Sequence, residues 1–161
     1  MARTIKGKDI GNGNGVVYTL RASDEFRLDA IAFTLKTDAT VANRFPEVIL
    51  LDDAGLQVAR VPDWNDCPAS VTVRYTFGVD LVPFSCAVND GGAVQNSLPD
   101  TQLGPRYQVQ VRSVGNTGAV FTGDTITDVV LAVTDAEPNV AADLGGGAPF
   151  MFVPGPNPVT V

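Results

Sequence analysis

The sequence contains no histidine. Histidine is the most frequent general acid–base side chain and the commonest protein ligand for transition metals, so its absence excludes Ser-His-Asp and Cys-His catalytic sites. A zinc site would need two cysteines together with carboxylates, which is an uncommon ligand set. We therefore expect a non-enzymatic protein without a cofactor. A hydrolase built on paired aspartates is the alternative.

Long apolar runs are also missing, and cysteine is scarce. The longest apolar run, residues 48–51, has the length of a strand and is far too short to span a membrane. No apolar segment of a secretory signal follows the first residues, which predicts folding in a cytoplasm and no membrane partner. The two cysteines, Cys67 and Cys86, are then expected to stay reduced, and a bridge across a sandwich edge is the alternative.

Positive charge is in short supply as well. Eleven basic residues against eighteen acidic ones leave a net charge of −7. A nucleic-acid ligand requires clustered lysine and arginine, and the arginines here are scattered, so no nucleic-acid partner is expected. Only the N-terminal segment is locally basic, through Arg3, Lys6 and Lys8. These side chains are candidates for contact with an acidic neighbour, and a solvated tail is the alternative.

Short apolar segments that alternate with polar residues fill the middle of the chain. A period of two residues is typical of β-strands, and the segment 45–52 is apolar on both faces, which predicts cover on both sides. Helical periodicity is limited to one short candidate at 37–44. The predicted strands are residues 16–21, 27–36, 45–52, 56–61, 70–77, 79–87, 107–113 and 124–135. About eight strands at this spacing predict an all-β protein, an antiparallel β-sandwich of jelly-roll or Greek-key type.

Segments rich in glycine and proline flank this predicted domain. We expect an extended N-terminal arm over 1–15, a sandwich domain over 16–136 and a C-terminal arm over 137–161. Large apolar side chains cost roughly 1.5 to 3 kcal/mol each when left in water. An apolar patch on the C-terminal arm should therefore dock on its own sandwich or, in an assembly, on a neighbouring subunit as an added strand. The patch consists of Phe150, Met151, Phe152 and Val153.

The single tryptophan, Trp64, lies in a polar loop between two prolines. Three roles fit this position: a stacking surface for a sugar held by Asp63 and Asn65, an anchor in a protein interface, or a lid folded over the sandwich end. With Asp66, the loop also offers oxygen ligands for calcium. The loop lacks the full pattern of an EF-hand, and Asx turns are the favoured interpretation of these residues.

The order of several turn segments carries a family resemblance. Residues 37–44 (TDATVANR) precede an apolar strand ending in 51–55 (LDDAG), residues 98–105 (LPDTQLGP) precede the strand at 107, and residues 123–126 (GDTI) open the last strand. Between residues 16 and 135 this order resembles the small β-sandwich virion proteins of tailed bacteriophages. Those proteins decorate or cement the capsid or lie among the tail parts. Family sequences often carry Pro-Gly before the seventh strand, where this chain has Gly-Pro.

The resemblance implies a bacteriophage virion structural protein, with capsid decoration or cement as the first expectation. Such a protein is made in the host cytoplasm, is located in the virion, and binds major capsid or other virion proteins through its sandwich and arms. A homo-oligomer is expected, with a trimer as one form. A minor tail or head–tail component and a carbohydrate-binding module that uses the Trp64 loop are the alternatives. The residues expected at the interface are Phe150, Met151, Phe152, Val153, Trp64, Arg3, Lys6 and Lys8.

Overall fold

The computed structural model describes residues 1–6, 16–21, 24–85 and 92–135. Within these ranges the chain forms eleven β-strands and no helix. The strands are β1 Ala2–Lys6, β2 Val16–Thr19, β3 Phe26–Lys36, β4 Phe45–Leu51, β5 Gln57–Pro62, β6 Thr72–Val79, β7 Phe84–Ser85, β8 Ala93–Leu98, β9 Thr101–Leu103, β10 Gln108–Val114 and β11 Thr125–Asp135. This part of the chain accordingly has no helix that is long and apolar enough to cross a membrane.

The strands form two sheets, which confirms the predicted all-β sandwich. The larger sheet has seven strands in the order β1-β11-β3-β6-β8-β7, with β9 paired to β3 as well. The smaller sheet has four strands in the order β2-β10-β4-β5. Neighbouring strands are antiparallel except β6 and β8, which run parallel. The larger sheet is therefore mixed, where the sequence predicts an antiparallel arrangement throughout.

The hydrophobic core lies between the two sheets and follows the period-two patterns of the strands. On β3 and β6 the buried side chains include Phe33, Tyr75 and Phe77. The ring of Phe33 stacks on those of Tyr75 and Phe77, with centroid distances of 5.4 Å and 6.0 Å. Val48 and Val109 meet them from the smaller sheet. Each of these five side chains is at most 1% exposed, because alternate residues of a strand point to the same face.

Three strands, β1, β8 and β9, were not predicted from the sequence. β8 and β9 fall in a segment whose alternation is weak, and their pairing with β6 and β3 depends on neighbours far along the chain. The predicted strand over 79–87 is represented in the described residues by the two-residue β7, since Pro83 has no amide hydrogen to donate. The segment 37–44, the only helix candidate in the sequence, is an irregular loop.

The first strand places part of the expected N-terminal arm on the sandwich itself. β1 pairs with β11 of the same chain, with Ala2 opposite Thr134 and Lys6 opposite Val130. The backbone of residues 2–6 therefore finds its hydrogen bonds within the domain. The interface role of Arg3 and Lys6 stays a prediction. Lys8 and the C-terminal patch Phe150, Met151, Phe152 and Val153 lie outside the described residues.

Candidate functional site

A groove of about 510 Å³ lies at one end of the smaller sheet, on the face that points away from the core. Its floor is formed by Phe45, Pro62 and Val114. Phe45 is directly opposite Val114, and the next outward position of β4 is opposite Pro62, so the register of three strands brings these ends together. The pairing of β10, β4 and β5 therefore fixes the relative positions of the residues that form the floor.

Two segments that leave this sheet form the walls of the groove. One wall is Trp64, which follows β5, and the other is the turn 115–118, which follows β10. The turn is closed by a hydrogen bond from the Gly118 amide to the Gly115 carbonyl at 2.8 Å. Gly118 has a φ of 78°, a left-handed conformation that glycine adopts without strain. Both walls are thus fixed to strand ends.

Trp64 is the most exposed aromatic side chain of the groove. Its exposed fraction is 76%, and its ring centroid lies 6.0 Å from that of Phe45 at an interplanar angle of 56°. The ring is held by Phe45, but most of its surface faces solvent. The prediction of a lid over the sandwich end is therefore wrong, whereas the interface and sugar-stacking roles both have an accessible ring.

The polar residues beside Trp64 form hydrogen bonds within the protein. Asp63 is 1% exposed, and its Oδ1 accepts hydrogen bonds from the Asn65 amide at 3.2 Å and from Asn65 Nδ2 at 2.8 Å. This is an Asx turn, as the sequence predicts. Asp66 accepts a hydrogen bond from the backbone amide of Arg44 at 2.8 Å. Among the described residues, no three acidic or cysteine side chains are placed to hold a metal ion.

A cluster of two arginines and one glutamate lies at the sheet-side end of the groove. Glu47 on β4 is fully buried, and its two carboxylate oxygens accept hydrogen bonds from Arg60 Nε at 2.6 Å and from Arg112 Nε. Arg60 also lines the groove. The side chains of Arg60 and Arg112 are 41% and 29% exposed. This cluster was not predicted from the sequence, because its only signal is the outward position of all three residues on adjacent strands.

A second ionic cluster lies inside the sandwich. Arg44 and Asp124 are both fully buried, and Arg44 Nε is 3.0 Å from Asp124 Oδ2. Asp124 also accepts hydrogen bonds from Ser113 Oγ at 2.8 Å and from the Asp38 amide at 3.0 Å. The Arg44 guanidinium fastens the loop 37–44 to the start of β11. This connection holds the segment directly before Phe45 in place.

A buried thiol adjoins this second cluster. The Cys67 amide donates to the Arg44 carbonyl at 2.9 Å, and Cys67 itself is a free cysteine with no exposed surface. Burial raises the pKa of the Cys67 thiol, and it also raises the pKa of Tyr75. A protonated, inaccessible thiol does not act as a nucleophile. Cys86 lies outside the described residues.

Comparison with known proteins adds no family to this description. No protein-family model, no curated protein and no solved structure matches the chain. The bacteriophage resemblance therefore stays a prediction from the sequence. The described geometry that bears on function is the groove, with the exposed ring of Trp64 at one wall and the arginine cluster at its end.

Proposed function

We propose that this protein is a non-enzymatic structural subunit that binds a neighbouring protein through the groove beside Trp64. The observation that carries this proposal is the exposure of Trp64, 76% of whose surface is open although its ring is positioned by Phe45. Tryptophan and arginine are the side chains that most often dominate binding energy in protein interfaces. Trp64 and Arg60 line the same groove.

The rigidity of the groove supports a docking role. Its floor belongs to paired strands, and the segment before Phe45 is fastened by the buried contact between Arg44 and Asp124. A pre-organised surface loses little conformational entropy when a partner binds. The protein can therefore present Trp64 to a partner without a change of fold.

The setting that we propose is the virion of a tailed bacteriophage, with decoration of the capsid as the first assignment. This part of the proposal rests on the sequence resemblance described above. The partner is then the major capsid protein or another virion protein, and the protein itself is a homo-oligomer. A minor tail or head–tail component would use the same groove.

Binding of a carbohydrate is the second candidate. The observation that favours it is the presence of Asn116 and Thr117 across the groove from Trp64, since amide and hydroxyl groups beside an aromatic face are typical of sugar sites. Asp63, one of the residues expected to hold a sugar in that alternative, is buried and bonded to Asn65. A sugar would therefore contact the opposite wall of the groove.

A competition experiment tests the docking proposal. Isotope-labelled wild-type protein and the Trp64→Ala variant are mixed in equal amounts with phage particles assembled without this chain, and the bound ratio is measured by mass spectrometry. We expect the variant to be under-represented at least tenfold, because loss of a central aromatic anchor costs about 2 kcal/mol or more. Phe84→Ala is the matched control, since Phe84 is 61% exposed on the other sheet.

Equal binding of Trp64→Ala and the wild type would contradict the docking proposal. The carbohydrate candidate is tested with a glycan array and the same two variants. Glycan binding that is lost in Trp64→Ala and kept in Phe84→Ala, together with no binding to particles, would assign the groove to a sugar instead.

A further inference from the structure

The arginine cluster at the end of the groove has an excess of positive charge. Arg112 lies directly opposite Glu47 in the pairing of β10 with β4. Arg60 is on β5, opposite Ile49, which is one outward position after Glu47 on β4. Among the described residues, Glu47 is the only carboxylate within 4.0 Å of either guanidinium. Two positive charges therefore share one negative charge, on a chain whose net charge is −7.

The way in which Glu47 is bound leaves most guanidinium donors unused. Each arginine contacts Glu47 through Nε, and neither makes a hydrogen bond from its terminal nitrogens to any residue that the structure describes. A guanidinium carries five N–H donors, four of them on these terminal nitrogens. Both side chains are partly exposed, so the free donors can reach a ligand.

Glu47 also orients the two side chains. Its carboxylate is completely buried, and it accepts a hydrogen bond from one arginine at each oxygen. A flexible arginine on a surface loses considerable side-chain entropy when it binds a ligand. Here part of that entropy has already been lost on folding, because Arg60 and Arg112 are tied to a rigid strand.

We infer that Arg60 and Arg112 form a carboxylate-binding site, and that its ligand is an aspartate or glutamate side chain of the partner protein. The inference rests on the proposed function, since Arg60 lines the groove in which the partner docks. The planar fork of a guanidinium matches a carboxylate in shape and charge. The strong negative charge of the whole chain disfavours a polyanion such as nucleic acid but tolerates a single carboxylate at this point.

The proximity of Arg60 to Trp64 defines the ligand further. Both side chains line one groove of about 510 Å³, so an acidic side chain on the arginines is accompanied by an apolar one on Trp64 and Phe45. The recognised element is an acidic residue next to a large apolar residue on the partner. This pairing of charge and apolar area is what separates the site from an exposed arginine elsewhere on the surface.

The site is tested with two small peptides and the full-length protein. N-acetyl-Asp-Phe-amide carries the carboxylate, and N-acetyl-Asn-Phe-amide is its uncharged counterpart. At constant ionic strength, the arginine Nε–H signals are followed by NMR during titration, together with the fluorescence of the single tryptophan. Arg27 is the internal control, because its Nε donates to half-buried Asp29 at 2.8 Å and it lies on the other sheet.

We expect saturable shifts for Arg60 and Arg112 with the aspartyl peptide, no saturable shift for Arg27, and affinity about tenfold higher than for the asparaginyl peptide. Arg60→Lys keeps the charge but loses the fork, so it should lower the affinity about tenfold, while Arg27→Lys leaves it unchanged. If Arg60→Lys fails to give a folded spectrum, Arg112→Lys replaces it.

Several results would overturn the inference. Equal affinity for the two peptides would remove the carboxylate site but leave the groove as a docking surface, which the particle competition tests independently. Shifts of all arginines in parallel would indicate unspecific charge attraction. Tighter binding of inorganic phosphate than of the aspartyl peptide would assign the arginines to a phosphate group. No binding of either peptide would also contradict a site for acidic and apolar side chains.

Discussion

The two ionic clusters of this protein use the same functional groups in opposite ways. Inside the sandwich, Arg44 is completely buried, and its guanidinium donates to Asp124, Asp38 and the Ala42 carbonyl. On the outer face, two arginines share Glu47 and leave their terminal nitrogens without a hydrogen bond to the described residues. A satisfied, buried arginine holds loops together, whereas partly exposed arginines with free donors are available to a ligand.

Removal of a partner from the interior cluster should have the largest effect. Asp124→Ala removes a negative charge that balances the buried guanidinium of Arg44. Breaking a buried ion pair in this way costs about 3 to 5 kcal/mol. We expect the free energy of unfolding in urea to fall by that amount. Asp53→Ala, at an exposed turn, is the control and should change it by less than about 0.5 kcal/mol. A similar small change in Asp124→Ala would show that the interior cluster contributes little.

The outer cluster should tolerate the loss of its carboxylate better. Glu47→Gln keeps a hydrogen-bond acceptor but removes the charge between Arg60 and Arg112, whose side chains can turn towards water. We expect a loss of about 1 to 2 kcal/mol in the same urea measurement. A loss as large as that of Asp124→Ala would mean that the two clusters have the same structural role.

Alkaline pH should lower the free energy of unfolding through two buried groups of the interior, the Cys67 thiol and the Tyr75 phenol. Burial raises the pKa of Cys67 above its ordinary 9.0 and that of Tyr75 above its ordinary 10.0. The folded protein therefore keeps protons that the unfolded chain releases, so this stabilisation is complete below about pH 9 and is lost as the pH rises. The expected slope is at most about 1.4 kcal/mol per pH unit for each group.

Denaturant unfolding at several pH values between 7 and 11 measures this slope. Tyr75→Phe removes the phenol, and it should make the fall above pH 10 shallower than in the wild type. The same slope in both proteins would contradict a pKa of Tyr75 that is raised on folding, because the phenol would then lose its proton equally readily in the folded and the unfolded chain.

Substitutions in the groove should have little effect on the stability of the fold. Trp64→Ala and Arg60→Lys alter exposed surface, so the free energy of unfolding should change by about 0.5 kcal/mol or less. The same variants are expected to impair binding at least tenfold. A large loss of stability in Trp64→Ala would indicate that its contact with Phe45 is structural, and it would remove the contrast between the groove and the interior.

Local patterns in the sequence were sufficient to predict most of the strands. The alternation of residues 27–36 corresponds to β3, and the apolar segment 45–52 corresponds to β4, where residues 46–50 are all buried. β8 was missed, because its parallel pairing with β6 depends on a distant part of the chain. Trp64 could be singled out because it is the only tryptophan and lies in a polar loop.

The period of two along each strand is a local property of the chain, and the sequence by itself was therefore enough to determine an all-β protein with an alternating core. Which residues face each other across strands depends on register and sheet order, and only the tertiary structure decided these. Register brought Glu47 between Arg60 and Arg112, and the packing of the two sheets brought Arg44, before β4, to Asp124, before β11, across 80 positions of sequence. Ionic groups carry no local signature of their partner, since attraction acts through space and not along the chain.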